Sequence, residues 1–536
     1  MTEPVSLSSE ARRVTRAAVL ISIGSVASRA LGLVAGMAKA RFFGASGAVS
    51  AFDVASQVPT MLYDQLMGGM LSAALVPVFS DYASSERKEE LWDVLGHVLT
   101  IIVLLLSVVV LLLIVGAPTV ARILGRDLPS EDLAMATTMI RITAPAVLFL
   151  NLAGLFSGTL YALQRFRLPA FTGAVYNAVM VAVIVLLGTG PLGARTLAIG
   201  LLAATIAQML FQLLGLRGVR FRLRSPFPLH PALVQVGQLY LPIGVGLLAD
   251  QAAVALSFNL ASATGPSGIA WMKYAAQLIQ FPLGLVVTAV SVAILPTLSR
   301  YATDADEPAY RSTLAQGLRL VLILVLPAAF GLLVMARPLV ALILQRGAFQ
   351  PSDTLATAQV LRFSILGLVF AALDTPLIFA FYARKDTWTP ALVGMGTTAL
   401  YVVMALVPTW LYGPQLWLLV LANSLKLAAH ALLMLYLFTR KVGSLNPYGL
   451  GRTTSISLAA SVVMTLPVWG ILQGLESLAL MGSLGYLIRI VAATGGGIVV
   501  YLLLLRLLGV EELTLIRLAL SSRTSLAPRS LARVRK

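Results

Sequence analysis

Long apolar segments, separated by short polar ones, dominate this chain of 536 residues. About 20 consecutive apolar residues can cross a bilayer as a helix, and helices satisfy every backbone hydrogen bond within one segment. The pattern therefore predicts an all-α polytopic membrane protein. Its spans are expected to be bent where they carry Pro or Gly. We predict about fourteen transmembrane helices, at 15–38, 51–79, 94–117, 133–163, 168–188, 197–216, 233–262, 268–298, 317–336, 355–383, 390–412, 415–438, 453–473 and 482–508.

The chain also contains an internal repeat. Residues 75–83 (Leu-Val-Pro-Val-Phe-Ser-Asp-Tyr-Ala) return as 294–302 (Ile-Leu-Pro-Thr-Leu-Ser-Arg-Tyr-Ala), which is 219 residues later. A second set of matches, within 161–170, returns 221 residues later. Ordered matches at nearly one spacing predict two six-helix lobes followed by two C-terminal helices. The predicted divisions are an N lobe (1–216), a basic cytoplasmic linker (217–232), a C lobe (233–438), two further helices (439–508) and a basic tail (509–536).

Composition and charge fit a membrane protein. Only 11% of the residues are charged, whereas a soluble domain carries about 25%. With the N-terminus in the cytoplasm, the loops on that side carry 26 Lys and Arg residues and the opposite loops carry 7, which predicts that both termini are cytoplasmic. The net charge of +17 is then a signal of topology and of contact with lipid headgroups, and no nucleic-acid partner is expected. The absence of cysteine excludes disulfides and thiolate metal sites.

A few ionisable side chains interrupt the apolar spans. Charges in a membrane are costly, so they face a cavity, pair with another charge or reach for the interface. Arg29, Lys273 and Asp64 are candidates to line a central cavity, with Gln277 one helical turn after Lys273. A basic cavity suits an anionic headgroup such as a pyrophosphate. Lys426 lies nearer a helix end, and we expect it to reach for the interface.

Two acidic residues suggest a different function for the protein. Asp250 and Asp374 lie within predicted spans and are candidates for Na⁺ or H⁺ coupling. The alternative is that each acid pairs with a neighbouring base. We find no ATP-binding loop, catalytic triad or metal cluster, so we expect a transporter that is not an enzyme and has no cofactor.

Several short motifs resemble the MurJ/MviN lipid II flippase family of the multidrug/oligosaccharidyl-lipid/polysaccharide exporter superfamily. They run in the family's order from the first predicted span to the eleventh. The resemblance implies fourteen helices, two lobes around a central cavity, and translocation of an undecaprenyl-pyrophosphate-linked precursor for peptidoglycan across the bacterial cytoplasmic membrane. The motifs include Ser28-Arg29-Ala30-Leu31-Gly32, Ala40-Arg41-Phe42-Phe43-Gly44-Ala45, Phe281-Pro282-Leu283-Gly284, Gln345-Arg346-Gly347-Ala348-Phe349 and Phe381-Tyr382-Ala383-Arg384-Lys385-Asp386-Thr387.

The chain departs from the family pattern at most charged cavity positions. Only Arg29 keeps its place among the cavity arginines. The departures are Ala35-Gly36 for an Arg-Asp pair, Ser50 for an Asp, Tyr63-Asp64 for paired arginines, Gly68-Gly69 for a Glu-Gly pair, Ala276-Gln277 for an Asp-Arg pair and Gln280 for a Glu.

Three interpretations remain open. In the first, the cationic charge has moved by one helical turn, because Lys39 lies four residues after Ala35 and Lys273 lies four before Gln277. The protein then keeps an anionic polyprenyl-pyrophosphate lipid as its substrate, acting as a monomer among membrane lipids. In the second, it is a divergent paralogue with another substrate or no transport. In the third, it is a cation-coupled drug or solute antiporter that uses Asp250 and Asp374.

Overall fold

A computed structural model describes residues 5–68, 75–82, 88–217, 225, 231–476, 482–510 and 512. All regular secondary structure in this part of the chain is helical, which confirms the predicted fold class. The N half comprises α1 (Val5–Phe43), α2 (Gly47–Tyr63), α3 (Val76–Tyr82), α4 (Lys88–Leu124), α5 (Ser130–Thr143), α6 (Ala146–Ala162), α7 (Arg167–Leu187) and α8 (Arg195–Leu213). The C half comprises α9 (Pro231–Ser262), α10 (Gly268–Pro282), α11 (Thr288–Thr303), α12 (Glu307–Leu344), α13 (Pro351–Ala383), α14 (Trp388–Tyr412) and α15 (Leu416–Lys441). Two further helices follow, α16 (Leu450–Glu476) and α17 (Gly482–Leu507).

The helices account for most of the predicted membrane spans. Within the described residues, eleven helices are long and apolar enough to cross a membrane. The number rises to twelve when α5 and α6, which meet at a bend of 42°, are taken as one span. The two remaining predicted spans, 51–79 and 268–298, are each interrupted. The count of fourteen stays a prediction, because it requires both interrupted segments to cross the membrane.

The two interruptions occupy equivalent positions. Asp64–Gly68 and Leu283–Val287 are both five-residue π-helical turns. Their first residues lie 219 positions apart, which is the spacing of the sequence repeat. A proline precedes each turn, Pro59 within α2 and Pro282 at the end of α10. Proline removes one backbone donor and clashes with the carbonyl four residues earlier, and π-turns occur frequently at functional sites.

The two halves share their packing at the end of the bundle where α1 ends, which we call the joined end. One buried cluster there combines residues of α1, α2 and α4 with residues of α9, α10 and α14. Backbone contacts reinforce it, because Ala348 N donates to Arg41 O at 2.9 Å and Tyr274 OH donates to Gly44 O at 2.8 Å. At the opposite end, the main clusters belong largely to one half each. The structure is therefore closed at the joined end.

The last two helices pack against the C half through α12. Tyr501 OH of α17 donates to Ile323 O of α12 at 2.8 Å, and apolar side chains from α12, α16 and α17 form one buried cluster. The start of α9 at Pro231 lies inside the predicted linker 217–232, of which only residues 217, 225, 231 and 232 are described. Of the predicted tail 509–536, residues 509, 510 and 512 are described. The predicted lobe boundaries remain predictions.

Candidate functional site

A cavity of about 440 Å³ lies where the two halves meet, between α1, α7 and α10. We call it the seam cavity. Its volume is within the range of small-molecule sites. Among the described residues that line it, Arg29 is the only charged one, and the others are small, amide or apolar. The lining consists of Gly24, Ser25, Ser28, Arg29, Gly32 and Leu33 of α1, Ala170, Gly173 and Asn177 of α7, and Gln277, Gln280 and Phe281 of α10.

Arg29 crosses from the N half to the C half. Its Nη1 donates to the backbone oxygen of Gln280 at 2.5 Å. The guanidinium fills the space beside Gly284, in the second π-helical turn, and a Cβ at that position would coincide with guanidinium atoms. Glycine at 284 is therefore a requirement for this placement of Arg29. The cation has a neutral carbonyl as its bonded acceptor.

Gln277 makes a second contact across the seam. Its Nε2 donates to Gly32 O of α1 at 2.6 Å. The same amide lies against Gly36, where an added Cβ would stand 2.5 Å from Gln277 Oε1. Real Cβ atoms do not approach other atoms this closely, so α1 needs glycine at 36 to accept the amide.

Lys39 forms an ion pair within the N half. Its Nζ lies 2.9 Å from Asp53 Oδ1, and the exposed fractions of the two side chains are 12% and 3%. The ammonium also lies 4.4 Å from the centre of the Tyr274 ring, a cation–π distance. The sequence predicted that Lys39, Lys273 and Asp64 line a substrate-binding cavity, and none of the three is among the residues that line the seam cavity. Lys39 differs from Lys273 in that its charge is paired with the Asp53 carboxylate.

Lys273 connects the C half to the N half, as Arg29 does in the other direction. Its Nζ donates to Gln57 Oε1 at 3.0 Å, and the ammonium lies 5.5 Å from the centre of the Phe258 ring. Asp53 and Asp64 act on it electrostatically. Asp53 and Gln57 lie four residues apart and thus on one face of α2. Lys39 and Lys273 both donate hydrogen bonds to this polar face of α2.

Asp64 is the first residue of the π-helical turn after α2, and its side chain is exposed. The next residue contacts the C half: Gln65 Nε2 donates to Gly244 O at 2.9 Å and to Tyr240 OH at 3.2 Å. Both partners belong to α9. The turn therefore touches the C half at the end opposite to the joined end.

The two acids proposed for ion coupling each have a basic partner. Lys426 Nζ and Thr398 Oγ1 both donate to Asp250 Oδ1, at 2.9 and 3.1 Å. Asp374 Oδ1 lies 2.6 Å from His430 Nδ1. The expectation that Lys426 reaches for the interface is wrong, because its position on α15 faces the Asp250 carboxylate of α9. Within the described residues no group of three or more His, Cys, Asp or Glu side chains could hold a metal ion.

The sequence matches a known family over most of its length. A family profile described as "Lipid II flippase MurJ" matches residues 39–493. The chain belongs to the MurJ family. A probable lipid II flippase MurJ of Vibrio cholerae serotype O1 is 29% identical over 523 residues, covering 93% of this chain and 97% of that protein. A lipid II flippase MurJ of Burkholderia cenocepacia is 30% identical over 389 residues, covering 71% and 75%.

Solved structures agree on the fold. A structure described as lipid II flippase MurJ in an inward closed conformation superimposes with a TM-score of 0.76 at 22% identity, covering 94% of this chain and all of that one. An inward-facing multidrug resistance MATE family transporter gives 0.68 at 13% identity, covering 80% and 99%. These likenesses, together with the apolar helices, indicate a multi-pass membrane protein with the MurJ fold.

Gly36 and Gln277, two positions interpreted from the sequence as departures from the family pattern, are in direct contact. In the structure the Gln277 amide occupies the space that Gly36 leaves open. Beside this contact, the amide-to-carbonyl hydrogen bond from Gln277 to Gly32 links the halves.

Sequence reasoning placed Arg29 and Gln277 in a cavity between the halves, and the structure brings both to the seam cavity. It did not single out Gln57 as the partner of Lys273, or Asn177, whose Nδ2 donates to Ser28 O at 3.0 Å. The available signal was an isolated amide side chain inside an apolar span. That signal is weak because an amide can also bond within its own helix, as Asn177 does to Gly173 O.

Proposed function

We propose that this chain is a lipid II flippase. It moves an undecaprenyl-pyrophosphate-linked cell-wall precursor from the inner to the outer leaflet of the bacterial cytoplasmic membrane, for peptidoglycan synthesis. Membership of the MurJ family supports the substrate class. The excess of basic residues in one set of loops supports cytoplasmic termini, so the joined end would face outward and the seam cavity would open towards the cytoplasm.

One observation carries the proposal. Arg29 from the N half and Lys273 from the C half each donate across the seam to a neutral oxygen, the backbone carbonyl of Gln280 and the side-chain amide of Gln57. Both bonds already have a charged donor, and a phosphate oxygen adds the negative charge that a carbonyl or amide oxygen lacks. A pyrophosphate that reaches the seam would therefore compete well for both cations.

Competition for these cations provides a route from binding to conformational change. The bonds that a headgroup would replace are bonds between the halves, so substrate binding would release contacts that hold the seam in its present form. A ligand shifts a conformational equilibrium only through different contacts in the two states. Here the difference is the partner of Arg29 and Lys273, which is protein in one state and substrate in the other.

The first interpretation from the sequence, in which the cationic charge has moved by one helical turn, then applies to Lys273 and not to Lys39. Lys273 has an amide as its bonded partner, whereas Lys39 holds a buried carboxylate. Releasing Lys39 to a substrate would leave Asp53 buried without its base, at a cost of about 3–5 kcal/mol. We assign Lys39 a structural role, and Arg29 and Lys273 the contact with the headgroup.

The antiporter interpretation is less well supported. It requires an acid that is free to take a cation, and Asp250 and Asp374 are both bonded to bases. The MATE transporters share the fold at identities near 14%, and a likeness at this level extends to the fold alone.

Replacement of the native flippase tests the proposal. The chain is expressed in bacteria in which the native lipid II flippase can be depleted, and growth and cell shape are followed after depletion. The intact chain should sustain growth. Arg29→Ala and Lys273→Ala should each abolish rescue, because each removes a cation that donates to a neutral oxygen across the seam.

Arg141→Ala is the matched control. Arg141 is also a cation within a predicted span, but its Nε donates at 3.3 Å to Ile114 O, which belongs to the same half. This variant should rescue growth as the intact chain does. Failure of the intact chain to rescue, when it is well expressed and correctly inserted, would count against lipid II and favour a paralogue with another role. Equal tolerance of all three substitutions would refute the assigned contacts.

A further inference from the structure

Asp250 lies at a meeting point of three helices in the C half. One of its oxygens, Oδ1, accepts from Lys426 Nζ of α15 at 2.9 Å and from Thr398 Oγ1 of α14 at 3.1 Å. Asp250 itself belongs to α9, inside the membrane-spanning segment Gly244–Ser262. A carboxylate and a hydroxyl that converge from different helices are the oxygen ligands that hard cations prefer. In this chain a protein ammonium occupies the contact with the carboxylate.

The lysine is held in this position by its surroundings. Its side chain is 17% exposed, whereas the Asp250 side chain is half exposed. The other acid of the C half is already bonded, because Asp374 contacts His430 at 2.6 Å. His430 follows Lys426 by one turn of α15 and thus lies on the same face. Each acid therefore has its own base, and Lys426 has Asp250 as its counterion.

We propose that Lys426 is a tethered cation that fills a monovalent-cation site built from Asp250 and Thr398. An ammonium is a compact point charge on a flexible stem, so it can take the place of a small metal cation beside a carboxylate. A second cation would face direct repulsion from the ammonium. The inference goes beyond the proposed flippase function, because it concerns ion binding and holds whichever lipid is moved.

Two consequences follow for the intact chain. Sodium does not bind at Asp250, and α9, α14 and α15 are linked without an external ion. When the ammonium is removed and the stem is kept, the Asp250 carboxylate and the Thr398 hydroxyl become available to a cation. Lys426→Met is the appropriate change, because methionine is similar in length and carries no charge. The variant should acquire a sodium site that the intact chain lacks.

The test measures sodium binding to the purified full-length protein. Binding of radioactive Na⁺ and the midpoint of thermal unfolding are recorded in NaCl and in choline chloride of equal ionic strength. The intact chain and Lys426→Arg should bind no sodium at this site and show no sodium-specific shift. Lys426→Met should bind about one Na⁺ per chain and show a saturable rise in the midpoint, since a ligand that binds only the folded state stabilises it. Lys426→Met combined with Asp250→Asn should lose both responses.

Several outcomes would overturn the proposal. The first is sodium binding by the intact chain that Asp250→Asn abolishes. The second is a folded Lys426→Met protein that binds no sodium. If Lys426→Met does not fold in choline chloride, its recovery by purification in NaCl supports the proposal. Recovery in neither salt, while the double variant with Asp250→Asn folds, contradicts it.

Discussion

Replacing Gly36 by alanine tests the contact between α1 and α10. The new Cβ would stand 2.5 Å from Gln277 Oε1 and 2.6 Å from its Nε2, so the amide must move and its bond to Gly32 O at 2.6 Å is lost. The overlap itself is relieved cheaply, because the amide is the far end of a flexible side chain, and the net value of the lost hydrogen bond is about 1 kcal/mol. Alanine favours the helix over glycine by about 1 kcal/mol, but α1 is helical whether or not the halves are in contact, so this gain does not change the contact between them.

The net expectation is a weakening of the contact between the halves by about 1 kcal/mol, the value of the lost hydrogen bond. This corresponds to a shift of roughly fivefold in the equilibrium between halves in contact and halves apart at the joined end, at about 1.4 kcal/mol per tenfold. Gln277→Ala in the same chain should remove the overlap, so the double variant should resemble Gln277→Ala alone. The two substitutions are then coupled by at least about 1 kcal/mol, as expected for residues in contact.

Because the chain has no native cysteine, introduced cysteines can be labelled specifically to measure this equilibrium. Spin labels at two introduced cysteines, Ser46→Cys and Ser352→Cys, report the distance between the halves at the joined end, where both side chains are exposed. Gly36→Ala should broaden the distance distribution towards longer values, and Gln277→Ala, alone or with Gly36→Ala, should broaden it to the same extent, because all three variants lose the same bond. An unchanged distribution in Gly36→Ala, or a double variant with a broader distribution than either single variant, would refute the assigned contact.

Two further predictions concern ion pairs. Lys39→Met should lower the free energy of unfolding by about 3–5 kcal/mol, because the Asp53 side chain is 3% exposed and would be buried without its base. Adding Asp53→Asn should recover most of the loss in a chemical or thermal unfolding series, and no recovery would contradict the pairing. Outside the membrane spans, burial alone would raise the pKa of Asp386, but hydrogen bonds from Lys441 and Thr389 outweigh it and hold that pKa below its usual value. A lowered carboxyl pKa stabilises the folded state above the ordinary pKa of about 3.9, and this contribution is lost as the pH falls below it. The thermal midpoint of Asp386→Asn should therefore lie below that of the intact chain at pH 7, and the difference should shrink as the pH falls below about 3.9. A difference that stays constant as the pH falls would show that the ion pair is not responsible.

The two π-helical turns show what the sequence repeat could predict and what it could not. The repeat at a spacing of 219 residues predicted equivalent halves, and the turns at Asp64–Gly68 and Leu283–Val287 show the same spacing. Pro59 and Pro282 indicated bends at these places. The identity of the bend as a π-helical turn was not predictable, because a proline is compatible with a kink, a break or a local change of helix type.

The charged residues show where sequence reasoning becomes insufficient. Arg29 lies at the seam, on the polar face of α1 that the sequence indicated. Lys39 was predicted to face the substrate, but it pairs with Asp53, which is 14 residues away on the next helix. Helical periodicity gives the face of a side chain on its own helix, and it does not say which residue of another helix that face meets.

By itself, the sequence determined that this protein crosses the membrane repeatedly as helices, because a lipid-embedded backbone permits few other structures. It also determined the family, because the motifs occur in order along the chain. Only the tertiary structure decided the partners of the charges. Asp250 and Lys426 are 176 residues apart, and whether such groups bind an ion, a substrate or one another depends on how their helices pack. The seam between the halves carries the cations, and its hydrogen bonds exist only once α1, α2 and α10 have come together.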